Sequence, residues 1–107
     1  MSVNPFAGEV ALQLDGQEHR CKLTLGALAE LETALKADTL IALISRFESE
    51  AFSAADIFQV IHAGLRGGGW RGRVEDLITA DIGGGPVEAA RVAAQLLHLA
   101  FTAPGLD

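Results

Sequence analysis

The spacing of apolar side chains changes once along this chain, and that change limits the folds open to it. Over residues 9–23 apolar positions recur every second residue; from residue 25 onward they recur every third or fourth. Val10, Leu12 and Leu14 fall on one side of the first run, with Glu9, Ala11 and Gln13 on the other, the pattern of a half-buried strand. Asp15-Gly16 follows, a dipeptide suited to the two positive φ angles of a type I′ turn. His19, Cys21 and Leu23 then alternate with Glu18, Arg20 and Lys22. Counting back across a two-residue turn sets Leu12 opposite His19 and Val10 opposite Cys21, so both strands turn one face to a common core. The spacing predicts a β-hairpin over residues 9–24. Two strands alone are marginal, so the hairpin must lie on the rest of the chain or extend a sheet in a partner.

The helical period starts at Thr24, which has the side chain of an N-cap, and carries Leu28, Leu31 and Leu35 on one face. Asp38 or Thr39 caps a second helix with Leu40, Leu43, Ile44 and Phe47 inward. Ser53 caps a third, with Asp56 at the third helical position as a variant of the capping box. Its apolar face is Ile57, Val60, Ile61 and Leu65, and Gly67-Gly68-Gly69 stops it. A shorter helix over residues 74–80 buries Val74, Leu77 and Ile78 and runs into a second glycine triplet, Gly83-Gly84-Gly85. Pro86 suits the first turn of a last helix. That helix has two apolar faces, Val87, Ala90, Ala94, Leu97 and Phe101 on one, Val92, Leu96 and Leu99 on the other. A helix apolar on two sides is a buried centre or pairs with another chain. The expected architecture is α+β and mostly helical: an N-terminal β-hairpin packed on a bundle of four to five short α-helices. It forms one domain over residues 1–107, with 25–101 as the helical region and 1–8 and 102–107 as flexible ends.

Composition narrows the function more than the fold. The chain has 107 residues, half of them apolar, and a formal charge of −6. An acidic balance argues against a dedicated nucleic-acid binder, which carries a basic stripe. One cysteine, Cys21, forms neither an internal disulfide nor a cysteine-based zinc site alone. No signal-peptide pattern opens the chain, and its longest apolar stretch falls far short of a membrane span. The expectation is a cytoplasmic protein without a membrane segment.

Chemistry-bearing motifs are sparse. Neither glycine triplet is followed by the Lys-Ser or Lys-Thr of a phosphate loop, so a hinge between helices is the plainer reading. His19, His62 and His98 share no metal-ligand spacing, and no nucleophile, base and oxyanion stabiliser can be assembled around Cys21 or the serines. No catalytic residue, cofactor or metal is expected. One segment stands apart: Arg66-Gly67-Gly68-Gly69-Trp70-Arg71-Gly72-Arg73 holds three of the eight basic residues and the single tryptophan. Such a loop can stack on bases or form a protein-interaction hot spot. It can also fold Trp70 back as a lid on the core and leave the arginines in water. The candidate partner interface is Arg66, Trp70, Arg71 and Arg73, together with Leu96 and Leu99 of the last helix.

The order of segments resembles a known family. Gly8-Glu9-Val10 leads into a strand, Leu14-Asp15-Gly16 makes the turn, and the block LTLGALAELE at residues 23–32 opens the helices. Ala63-Gly64-Leu65-Arg66-Gly67-Gly68-Gly69 follows, then Gly84-Gly85 before an Ala/Leu-rich helix. Over about residues 8–101 the chain resembles the small gene transfer agent family proteins encoded among phage-like tail genes, grouped with phage tail tube or tail assembly chaperone proteins. The stretch Trp70-Arg71-Gly72-Arg73 departs from that pattern. The resemblance implies a non-enzymatic role in building a phage-like tail. Tail assembly chaperones are similar in being small and helix-rich; they coat the tape-measure protein, keep it soluble, help recruit tube subunits and are absent from the finished particle. The partners so implied are the tape-measure protein, tail tube subunits or both, with a homo-oligomer open. The first alternative is a structural tube component of the particle. The second is an unrelated helical adaptor or regulator that binds nucleic acid weakly through Arg66, Arg71 and Arg73.

Overall fold

The computed structural model describes residues 3–36 and 38–102; the expectations for residues 1–2 and 103–107 lie outside them. Strands β1 (Glu9–Leu14) and β2 (Gln17–Lys22) pair antiparallel in the expected register, Leu12 opposite His19 and Val10 opposite Cys21. Asp15 and Gly16 take φ of 52° and 81°. These are the two positive angles of a type I′ turn, whose twist matches that of the strands it joins. Val10, Leu12, Leu14 and Cys21 are buried, as the alternation requires.

Five α-helices follow among the described residues: α1 (Leu25–Leu35), α2 (Leu40–Glu48), α3 (Ala54–Gly67), α4 (Val74–Thr79) and α5 (Gly85–Phe101). The first three begin where cap chemistry places them. Thr24 Oγ1 accepts from the Ala27 amide, Thr39 Oγ1 from the Ala42 amide, and Ser53 Oγ from the Asp56 amide. Asp56 returns the contact by accepting from the Ser53 amide, which completes the capping box. Each satisfies an amide that the helix itself leaves unpaired.

Helix α3 is the hub. It packs against β2, α1, α4 and α5, while α5 also lies across β1. Val60, Ile61 and Leu65 have no exposed surface. Gly64 lies tight against α5: a Cβ there would stand 2.7 Å from Leu96 Cδ1. The buried stripe of α5 is Ala89, Val92, Ala93, Leu96 and Leu97. It differs from the two faces read from spacing: Val87 is 83% exposed and Phe101 half-exposed. One narrow stripe suffices because Ala89 and Ala93 let the helix sit close to its neighbours. In α4 Leu77 is buried and Ile78 points outward, since a two-turn helix covers the core with one side only.

Two further features differ from the spacing-based reading. Residues Pro5–Ala7 form a 3-10 turn capped by Asn4, and Asn4 and Glu9 exchange hydrogen bonds that fasten it to β1. The connection from α4 to α5 is more than a hinge. Ile82 forms an antiparallel bridge with Leu14; the Asp15 amide donates to the Asp81 carbonyl, and the Gly83 amide to the Gln13 carbonyl. A short extended piece thus lies along the outer edge of β1. No described helix is long and apolar enough to cross a membrane.

Candidate functional site

The outer edge of β2 shapes the tryptophan loop. At the end of α3, a Cβ on Gly67 would lie 1.9 Å from the Lys22 carbonyl oxygen, and one on Gly68 1.7 Å from that of Arg20. Only glycine lets helix backbone approach strand backbone this closely, so two of the triplet's three glycines are packing positions. The third, Gly69, turns the chain with φ of 105°. The Trp70 amide then donates back to the Leu65 carbonyl at 2.8 Å.

Trp70 is half-buried and packs on the core. Its indole meets the His62 ring edge-on, with centroids 6.1 Å apart. It also lies directly on Gly72, where a Cβ would be 2.1 Å from the ring. A His62 ring nitrogen sits 3.3 Å from the Gly72 carbonyl oxygen, so one strut holds the loop beside the indole. The Arg73 amide donates to Asp76 Oδ2 at 2.9 Å, which starts α4. The loop is therefore braced at Leu65, His62, Gly72 and Asp76.

The arginines divide into two groups. Arg66 makes a two-pronged pair with Glu30 of α1, at 2.7 and 3.2 Å, and the guanidinium holds the Glu30 carboxyl below its ordinary range. That pair ties α3 to α1. Arg71 and Arg73 are exposed and make no ion pair among the described residues. Arg71 lines a notch of about 310 Å³ together with His19 and Arg20 of β2 and Gly68, Gly69 and Trp70.

The two leucines of the candidate interface part company. Leu96 is 1% exposed and fills the space opposite Gly64, so it is a core side chain in this fold. Leu99 is half-buried beside Pro5, Phe6 and Leu23, in a shallow cleft between α5 and the N-terminal turn. The tryptophan loop and Leu99 are thus not lining residues of one pocket.

Residue spacing missed one charged cluster. Arg46 of α2 bonds both carboxylate oxygens of Asp56 at 2.8 and 2.9 Å and also contacts Asp38 at 2.8 Å. The Arg46 hydrogen bonds hold both carboxyls below their ordinary range, and the two carboxylates raise the guanidinium in turn. The cluster joins the start of α2, its last turn and the cap of α3; it is structural. Cys21 is fully buried, and burial pushes its thiol up to about 12, so it is no nucleophile at neutral pH. No group of three or more metal-ligating side chains occurs among the described residues.

A protein-family model described as "Phage tail tube protein, GTA-gp10" matches residues 7–103. No curated protein and no solved structure matches the chain. The match runs from the N-terminal turn through α5 and takes in the hairpin, the loop and every helix. The chain belongs to this family of phage-like tail and gene transfer agent proteins.

Proposed function

We propose that this chain is a tail assembly chaperone, a non-enzymatic protein of the cytoplasm that binds the tape-measure protein while a gene transfer agent or prophage tail is built. The observation that carries this reading is the state of the sheet. A subunit that builds a tube through strands has to offer strand edges to its neighbours. Here the sheet has two strands among the described residues. The end of α3 covers the β2 edge, and the Ile82 segment lies along the β1 edge. The surface left for a partner is instead apolar and helical. Leu25, Ile41 and Val87 are each more than three-quarters exposed. A groove of about 280 Å³ runs between α2 and α5, with Ile44, Phe47, Ala94, Leu97 and Phe101 as its apolar lining and Glu48, His98 and Thr102 as its polar lining. Such surface suits an amphipathic helix.

Co-expression with the tape-measure protein of the same gene cluster tests this. The tape-measure protein should be soluble and co-purify with the chain, and be insoluble without it. Equal solubility in both cases would overturn the reading. The description of the matching family favours a second reading, a structural component of the tube. It predicts instead that the chain alone assembles into rings or tubes.

A further inference from the structure

The six described arginines spend their hydrogen-bonding capacity unequally. Arg46, Arg66 and Arg91 contact their carboxylates at 2.7 to 2.8 Å. Arg20 is 3.8 Å from Glu9, too far for a hydrogen bond, and Glu9 also holds the Asn4 amide at 2.8 Å. Arg71 has no carboxylate partner among the described residues. Arg20 and Arg71 both line one notch, with His19, Gly68, Gly69 and Trp70, and no acidic residue lines it. In a chain of net charge −6, a notch lined by two arginines and no carboxylate is a local reversal of sign. The geometry is also fixed beforehand. Trp70 is braced by Leu65, His62 and Gly72, and the end of α3 is locked to β2 by the glycine contacts. A planar, permanently charged guanidinium on a braced support suits two-pronged capture of a carboxylate.

We propose that the notch between β2 and the tryptophan loop receives carboxylates from an acidic segment of a partner protein. Nucleic acid offers phosphates to the same groups, but a long polyanion meets the negative field of the whole chain. A short peptide engages the notch alone. This inference rests on the reading of the protein as a binding partner rather than on which tail protein it binds.

The test uses the intact chain and a blocked peptide, acetyl-Glu-Asp-Glu-Asp-amide, titrated while amide and indole NMR signals are followed. Trp70 is the single tryptophan, so its indole signal needs no sorting. Saturable shifts should centre on the Trp70 indole and the Gly68 and Gly69 amides. The Arg71→Glu and Arg20→Ala variants, both changed at exposed side chains, should keep the wild-type spectrum elsewhere and each weaken binding at least about tenfold. Equal shifts from the Gln-Asn-Gln-Asn peptide, or shifts centred away from the loop, would overturn the proposal. Tighter binding of octathymidylate at the same signals would also overturn it, in favour of a nucleic-acid site. Because the probe is a peptide, a positive result alongside failed tape-measure binding would retain the notch and remove the chaperone reading.

Discussion

Replacing Gly68 by alanine isolates the contact on which the tryptophan loop is built. Its φ of −87° and ψ of −3° match the third residue of a type I turn, which most side chains adopt, so backbone preference is not at stake. The added methyl would stand 1.7 Å from the Arg20 carbonyl oxygen and 2.7 Å from its carbon. Ordinary carbon–oxygen contacts need about 3.3 Å, so the end of α3 must retreat from β2 by about 1.5 Å. Both sides of the contact are backbone, and no side chain can rotate away. Overpacking of this kind costs about 1–3 kcal/mol, and the retreat also strains the Trp70 anchor on Leu65, so the upper end is expected. A loss of about 3 kcal/mol lowers the melting temperature of a domain this size by about 12–24 °C. Gly69→Ala is the control. Nothing lies within 4 Å of its Cβ, but its φ is 105°, and that conformation costs a side chain about 1–2 kcal/mol. Urea unfolding, read by helical circular dichroism and by Trp70 fluorescence, ranks the two variants. If Gly68→Ala is no more destabilising than Gly69→Ala, the close-approach argument is wrong.

Three further outcomes follow from the same structure. Leu96→Ala should cost about 2–5 kcal/mol in urea unfolding, because the side chain is 1% exposed; a variant of native stability would place Leu96 at the surface. Asp56→Asn should destabilise the chain at neutral pH. The folded Asp56 carboxyl is held below its unfolded value, so its contribution is present above the ordinary carboxylate range and lost as pH falls below about 4. The gap between this variant and the wild type should therefore close on acidification; a gap independent of pH contradicts the pairing. Cys21, fully buried with its thiol pushed up to about 12, should react with a thiol reagent at neutral pH only as fast as the protein opens. Rapid labelling of the native chain would refute the burial.

What was legible in the sequence is local. Asp15-Gly16 sets the hairpin register because the turn and the alternation specify one pairing. Thr24, Thr39 and Ser53 mark helix starts because a cap acts on amides two or three residues away. The features that stayed hidden join residues far apart in the chain. Nothing near Gly67 and Gly68 reveals that β2 carbonyls lie against them, so the triplet reads as a helix stop. Ile82 looks like loop until Leu14 is brought beside it. Arg66 sits in a basic loop by sequence, yet Glu30 lies 36 positions away and claims it. The same holds for Arg46 and Asp56, each ordinary on its own helix. The tryptophan loop stands out by composition, but its division into a braced indole, a tied arginine and two arginines with no ion pair among the described residues depends on those distant contacts.

The central claim is that the chain serves assembly of the tail and does not remain in it. Quantitative mass spectrometry of purified tail-bearing particles, set against the lysate that produced them, tests this most directly. The chaperone reading predicts abundant peptides in the lysate and none above background in the particles. Recovery from particles at a stoichiometry near that of the tube subunit would contradict it and make this chain a structural part of the tail.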